Sequence, residues 1–310
     1  MKGNKELYLT ITFAVYAFQG FLITICNGIV ALVLIKHRHL RRQYMILLAQ
    51  IFVDALLGFG FCIAGIGRLF VTIIGQFRIS RRYCLSQLMS AVATLMVSTD
   101  RIISLLFPMR YFENNYSYQI KQIIVYFGLV SLLTLIGCII SFTDAKSMLN
   151  GYCWSGDTLQ PVFADLNGVL MMASASLSVI IYIIVYFLSR KHIRRIKSIR
   201  TEVSLQVFEA RQRKLTITMG VSCVFTLIFY VLPLCFKLFI YSNDDPTTYY
   251  SELLRSIVTV SCNVNPLANI ATILIKQNNI ACHVKQLFPK CIQKFYKCNP
   301  IMAICAVKCK

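Results

Sequence analysis

The sequence predicts an all-α membrane protein: a seven-transmembrane helix bundle with a short amphipathic C-terminal helix. Of its 310 residues, 57% are hydrophobic and only 14% are charged, whereas soluble domains carry about 25% charged residues. Seven apolar runs are long enough to cross the hydrocarbon core, which takes about 20 helical residues. Because an open strand would leave backbone groups unpaired in lipid, we expect each run to be a helix.

The seven runs follow one another through short polar connections, and no internal repeat is detectable. The first run is too long for a cleavable signal peptide and is predicted to continue as a span. The approximate bounds of the runs are Tyr8 to Ile35, Tyr44 to Ile74, Cys84 to Leu106, Ile120 to Phe142, Val162 to Leu188, Leu215 to Tyr241 and Tyr249 to Ile275.

The segment after the seventh run carries apolar residues at helical spacing among lysines. Ile280, Val284, Leu287 and Phe288 would share one face of a helix. We predict that this amphipathic helix lies on the inner leaflet of the membrane. The chain is thus predicted to divide into a seven-helix domain and a cytoplasmic tail, residues 1–277 and 278–310.

The net charge of +20 would suit a nucleic-acid partner, but its distribution argues against one. Most Lys and Arg residues lie in the connections after the first, third and fifth runs and in the tail. This is the positive-inside pattern, with added attraction to anionic lipid of the inner leaflet. It predicts a multi-pass plasma-membrane protein in the lipid bilayer, with its N-terminus extracellular and its C-terminus cytoplasmic.

Asp100 and Arg101 stand side by side near the end of the third run. A charged pair at the end of a membrane helix is costly unless its members pair or face water. At the inner edge of the membrane, Arg101 can be held by Asp100 in one state and released to a partner in another. The alternative is a surface ion pair that caps an ordinary helix.

Asp54 lies within the second run, where a carboxylate needs partners or an ion. Counting residues at about 1.5 Å each places four polar residues of other runs at similar depth. These residues are Asn27, Ser90, Ser261 and Asn265. The group predicts a polar network or a site for a monovalent cation such as sodium. The alternative is a network that only holds the helices together.

Two prolines interrupt the last two runs, Pro233 in the sixth and Pro266 in the seventh. A proline removes a backbone hydrogen bond and makes a kink or hinge, and neighbouring groups re-satisfy the freed carbonyl. Two hinged helices beside a basic connection predict a bundle whose inner end can open. A static kink is the alternative.

An enzyme is the least favoured class. The sequence has no HExxH, GxSxG or CxxC pattern, and its four histidines all lie on the predicted cytoplasmic side. No metal ligand set and no cofactor site is predicted beyond the possible sodium ion at Asp54.

Seven spans with these polar residues in this order resemble the rhodopsin-like G-protein-coupled receptors. The residues that carry the resemblance are Asn27, Asp54, Asp100-Arg101-Ile102, Pro233 and Asn265-Pro266. Within that superfamily the chain is most similar to nematode serpentine chemoreceptors of class SX. The segments that support this are Ser98 to Tyr111 and Ile79 to Cys84.

The resemblance implies a chemosensory receptor that passes an extracellular signal to a heterotrimeric G protein. A small-molecule or peptide ligand would favour a state in which the sixth helix swings about Pro233 and frees Arg101. The G protein would dock in a cleft that includes Arg110 and the basic connection 190–214. The implied activation residues are Asp100, Arg101, Arg110, Pro233, Asn265 and Pro266.

The resemblance also implies features at the outer end. Cys84 and Cys153 look like the outer disulfide pair, and a ligand pocket would be bordered by Tyr83, Phe236, Lys237 and Tyr241.

The sequence departs from the family pattern at several positions. Val231 stands where the sixth helix of the family has an aromatic switch, and Asn269 replaces the tyrosine of the seventh-helix motif. Cys84 is also closer to Asp100 than in the family, so the third helix is predicted to be about two turns shorter at its outer end.

A membrane transporter or ion channel that uses the intramembrane Asp54 is the alternative function. The absence of a detectable repeat argues against the inverted-repeat plan of many transporters.

Overall fold

The computed structural model describes residues 2–74, 78–79, 87–143, 149–150, 161–196, 203–241 and 249–287, at several helix ends by their backbone alone. The elements are α1 (Lys2–Lys36), α2 (Arg38–Gln43), α3 (Met45–Ile74), β1 (Arg78–Ile79), α4 (Gln87–Leu106), α5 (Pro108–Thr143), β2 (Leu149–Asn150), α6 (Pro161–Ile196), α7 (Val203–Thr226), a π-helical turn (Leu227–Val231), α8 (Leu232–Tyr241), α9 (Tyr249–Lys276) and α10 (Asn278–Leu287).

Seven segments of these helices are long and apolar enough to cross a membrane, and they match the seven predicted runs. Large apolar side chains cover the outside of the bundle: Phe18, Phe70 and Ile124 are each more than 60% exposed. Such a surface is stable only against lipid. The chain is therefore a multi-pass membrane protein, and the predicted all-α seven-helix bundle is confirmed.

Several helices extend beyond the predicted runs. Helix α5 begins at Pro108 rather than near Ile120, and α7 begins at Val203 rather than near Leu215. Hydropathy marks only the part of a helix that lies in hydrocarbon, whereas backbone hydrogen bonding continues into the polar ends. Proline is well suited to the first turn of a helix, where its missing N–H has no intrahelical partner.

Helix α4 lies at the centre of the bundle and α5 at its edge. In the membrane span of α4, 61% of the most apolar window is buried, against 11% for the span of α5. The described part of α4 starts at Gln87, so the predicted start at Cys84 lies outside the described residues. On the same side, β1 and β2 pair antiparallel and join the α3–α4 and α5–α6 connections.

Helices α1 and α3 pack with their backbones in close contact because glycines face each other. A Cβ atom added to Gly20 would lie 2.4 Å from the backbone nitrogen of Cys62 and 2.6 Å from the carbonyl oxygen of Gly58. A Cβ atom at Gly65 would lie 2.5 Å from the backbone nitrogen of Ala17. Small residues allow this approach, which provides van der Waals contact where lipid removes the hydrophobic driving force.

An arginine adds to the same interface. The guanidinium of Arg68 on α3 lies over the rings of Phe13 and Tyr16 on α1, 5.7 Å and 5.9 Å from their centroids. Cation–π contacts of this kind stabilise a cation away from water.

The amphipathic helix α10 is present as predicted, but its apolar face packs mainly on the bundle. Ile280 and Val284 are buried in one cluster with Val30 and Leu34 of α1. Leu287 is 47% exposed, and Phe288 lies outside the described residues. The prediction that this face lies on the leaflet is therefore corrected: α10 covers the end of α1 at the basic end of the bundle, which we define by Lys36, Arg41 and Lys276.

Candidate functional site

The Asp100–Arg101 pair lies inside the bundle near the basic end of α4. The two side chains form an ion pair with each other, and they are 0% and 4% exposed. A buried charged pair of this kind is costly unless further hydrogen bonds satisfy it. The alternative of an exposed ion pair that caps the helix is therefore wrong.

Helix α5 supplies a hydrogen-bond relay to the carboxylate. The Tyr111 hydroxyl donates to Oδ1 of Asp100 at 2.8 Å, and Nε2 of Gln119 donates to the Tyr111 hydroxyl oxygen at 2.9 Å. Burial raises the pKa of the Tyr111 phenol, and the charge of Asp100 raises it further. Tyr111 therefore stays protonated at neutral pH and remains a donor to Asp100.

A second set of contacts fixes α5 against α4 one turn farther into the bundle. Nε2 of Gln122 donates to the carbonyl oxygen of Met96 at 3.0 Å and to Oγ1 of Thr99 at 2.9 Å. The Tyr126 hydroxyl also donates to Oγ1 of Thr99, at 3.1 Å. Arg110 lies in the first turn of α5, where only the backbone is described.

Arg101 lies between α4 and two other helices. It lines a cavity of about 10 Å³ together with Met219 of α7 and Gln119 of α5. Tyr182 of α6 is buried and interacts electrostatically with Arg101, and its hydroxyl makes no hydrogen bond within the described residues. Met219 packs in one cluster with Met96 and Val97 of α4, so α7 covers Arg101.

A ladder of side-chain hydrogen bonds joins the sixth and seventh spans. Gln277 Nε2 donates to Thr218 Oγ1 at 2.8 Å, and Thr226 Oγ1 donates to Asn265 Oδ1 at 3.1 Å. Between these rungs, the Ser222 hydroxyl donates to Oδ1 of Asn269. We call this set the polar ladder; its members are Thr218, Ser222, Thr226, Asn265, Asn269 and Gln277.

Above the ladder, the sixth span changes its helical geometry. The backbone N–H of Leu232 donates to the carbonyl of Leu227, five residues back, in a π-helical turn. Pro233 follows and has no N–H to donate to Phe229. The Ser261 hydroxyl of α9 donates to the carbonyl oxygen of Phe229 at 3.1 Å instead. The carbonyl that the proline leaves without its helical donor is thus satisfied by the neighbouring helix.

The predicted network around Asp54 is divided in two. Ser90 donates to Oδ1 of the buried Asp54 at 2.8 Å. Asn27 donates to the carbonyl of Ile23 on its own helix at 2.9 Å, while Ser261 and Asn265 bond to the sixth span. Ser90 is therefore the predicted partner that the structure brings to Asp54. Both residues offer oxygen ligands suited to a hard cation, and sodium binding stays a prediction.

A polar cavity of about 50 Å³ lies beside this pair. Ser90 forms part of its wall, opposite Tyr230 and Asn263. The hydroxyl of Tyr230 and Nδ2 of Asn263 are buried and have no hydrogen-bond partner within the described residues. One water molecule needs about 10–15 Å³ of such volume, so the cavity has room for a few waters or a small polar group.

The predicted outer pocket is not assembled by the described residues. Phe236 is 62% exposed and does not line the polar cavity. Only the backbone of Lys237 and Tyr241 is described. Tyr83 lies outside the described residues, as do both members of the predicted disulfide, Cys84 and Cys153.

Sequence reasoning missed most of the polar ladder, although its spacing was visible. Thr218, Ser222 and Thr226 recur every four residues, so they share one helical face. Asn265 and Asn269 recur in the same way on α9. Tyr111 and Gln119 gave no comparable signal, because they meet Asp100 only through the fold.

No protein-family model matches this sequence, and no curated protein matches it significantly. The function of the protein is therefore inferred from its residues and their geometry.

Proposed function

We propose that the protein is a rhodopsin-like, probably chemosensory in the sense of ligand-sensing at the cell surface, G-protein-coupled receptor of the plasma membrane. It would bind an extracellular small molecule or peptide and activate a heterotrimeric G protein inside the cell. The observation that carries the proposal is the buried Asp100–Arg101 pair beneath a sixth span that is kinked and held by hydrogen bonds. The basic end of the bundle would face the cytoplasm, in accordance with the positive-inside rule.

The position of Met219 supports an opening movement at this end. Met219 of α7 and Arg101 line the same small cavity, so outward movement of α7 would widen the cavity into a cleft. Arg101 would then exchange Asp100 for the G protein. Tyr182, whose buried hydroxyl lies in the same region, is suited to accompany Arg101 in the open state.

The cost of the movement is within the reach of a ligand. Opening α7 below Pro233 would break the ladder bonds of Thr218 and Ser222. Hydrogen bonds between membrane helices contribute about 0.6 kcal/mol each on average. Two such bonds together hold the closed state by about 1 kcal/mol. A ligand needs only a modest difference in affinity between the two states to offset this energy.

The test is a ligand screen on cells that display the full chain, with G-protein activation as the readout. Arg101→Ala should abolish activation at an equal amount of protein on the cell surface. Lys121→Ala, which removes an exposed cation on α5 of the same side, should leave activation unchanged. Full activation by Arg101→Ala would contradict the proposal. Ligand-gated current or uptake in liposomes that hold only this protein would instead support the channel or transporter alternative built on Asp54.

A further inference from the structure

Cationic side chains gather where α10 meets the end of α1. The rings of His37, between α1 and α2, and His283, on α10, are in contact with their centroids 4.3 Å apart. Lys36 precedes His37 and is exposed. The segments that form this junction, 36–44 and 276–287, contain no Asp or Glu. Neither segment therefore supplies a carboxylate to balance these groups.

The hydrogen bonding of His283 fixes one of its ring nitrogens. Nδ1 of His283 lies 2.7 Å from the carbonyl oxygen of Asn279. Because a carbonyl oxygen only accepts, Nδ1 must carry the proton and donate. Nε2 is then the ring nitrogen of His283 that remains for a ligand, and it becomes a donor when the ring is protonated.

The same crowding is visible at His37. Burial lowers the pKa of His37, and the neighbouring His283 and Lys36 lower it further. Proximity of like charges opposes protonation, and a nearby anion would reverse this effect. The junction is therefore poised to gain stability from an anion that contacts both imidazoles and the ammonium group.

The depth of the junction identifies the source of that anion. Ile35 of α1 is 46% exposed and Ile275 of α9 is 72% exposed. The next residue on each helix is an exposed lysine, Lys36 and Lys276 respectively. An outward isoleucine followed by an outward lysine marks the step from hydrocarbon to headgroups. The cations therefore lie at the level of lipid phosphates.

We infer that Lys36, His37 and His283 bind the phosphorylated headgroup of a phosphoinositide lipid. A phosphate monoester carries close to two negative charges and three strong acceptor oxygens, which match one ammonium group and two imidazole N–H groups. The bound headgroup would join α10 to the end of α1 and so add to the contacts of Ile280 and Val284. This site does not depend on the proposed receptor function.

The test uses the purified full chain in phosphatidylcholine nanodiscs. A short-chain fluorescent phosphatidylinositol bisphosphate is titrated into the sample, and its affinity is measured by anisotropy. Lys36→Gln should weaken binding about five-fold, since one cation near an anionic surface contributes about 1 kcal/mol. The double variant His37→Gln/His283→Gln should weaken binding at least as much. His39→Gln removes an exposed imidazole two residues from His37 and should keep the wild-type affinity.

Further arms decide between the possible ligands. Equal competition by phosphatidylserine would overturn the inference in favour of general attraction to anionic lipid. Equal affinity for soluble inositol trisphosphate would overturn it in favour of a free phosphate ligand. Unchanged lipid affinity with weaker G-protein activation in both variants would assign the junction to a protein partner. Thermal unfolding in phosphatidylcholine alone checks the folding of each variant. If the histidine variant does not fold, Lys36→Gln, which changes an exposed side chain, decides the outcome.

Discussion

The α1–α3 interface and the interface between the sixth and seventh spans use opposite means of holding two helices together. Between α1 and α3, Gly20 and Gly65 bring the backbones into contact. Between the sixth and seventh spans, serine, threonine, asparagine and glutamine side chains meet in the polar ladder. Lipid does not drive helices together as water does, so packing and hydrogen bonds must do so.

The two interfaces also differ in how freely they can change. Close backbone contacts have one arrangement, because sliding would bring neighbouring side chains into the space that only glycine leaves open. Hydroxyl and amide groups can exchange one partner for another at little cost. The ladder also adjoins a π-helical turn and Pro233, while Pro266 lies within α9. We therefore expect the α1–α3 pair to be the fixed part of the bundle and the sixth span to be its moving part.

The largest expected effect tests the fixed interface. Gly20→Ala would place a Cβ atom 2.4 Å from the backbone of Cys62. Backbone atoms cannot move aside as a side chain can, so the substitution should lower the free energy of unfolding by about 1–3 kcal/mol. The thermal unfolding temperature of the detergent-purified protein measures this loss.

The same helix provides the matched control. A Cβ atom at Gly28 would meet nothing within 4 Å, so Gly28→Ala should be neutral or slightly stabilising because alanine favours helix more than glycine does. If Gly20→Ala proves as stable as Gly28→Ala, the backbones of α1 and α3 are not held as closely as described.

A smaller effect is expected where the proline and the serine meet. Ser261→Ala should leave the carbonyl of Phe229 without its described donor and cost about 1 kcal/mol or more of stability. In a Pro233→Ala background the backbone N–H at position 233 can donate to the same carbonyl, so Ser261→Ala should cost much less. A double-mutant cycle of unfolding free energies measures this coupling. Additive effects would show that Ser261 does not replace the bond lost at Pro233.

The smallest expected effect concerns a single rung of the ladder. Ser222→Ala and Asn269→Ala should each remove the same interhelical bond, so the double variant should cost no more than the larger single effect. A bond of about 0.6 kcal/mol corresponds to roughly a three-fold shift between the closed and open states. We expect ligand-independent G-protein activation to rise by about that factor in both single variants. Unchanged basal activation with normal surface display would show that the ladder does not hold the sixth span closed.

The two interfaces also differ in what sequence reasoning could find. Asp54 and Ser90 were paired correctly by counting depth along straight helices, and the structure places them 2.8 Å apart. The same count assigned Ser261 to that pair, whereas Ser261 bonds to Phe229 on the sixth span. Depth fixes the level of a residue in the membrane. It does not fix the rotation of its helix, and the π-helical turn and the proline alter the positions of neighbouring groups further.

The sequence by itself determined that seven helices cross a membrane and that an amphipathic helix follows them. These features depend on hydropathy and spacing, which are properties of each segment alone. Only the tertiary structure decided that the Asp100–Arg101 pair is buried rather than a surface cap, because Tyr111 and Gln119 reach it through the packing of α5 on α4. The tertiary structure also turned the apolar face of α10 toward α1. Which polar groups meet depends on helix rotation and on contacts distant in the chain, and no single segment of the sequence encodes either.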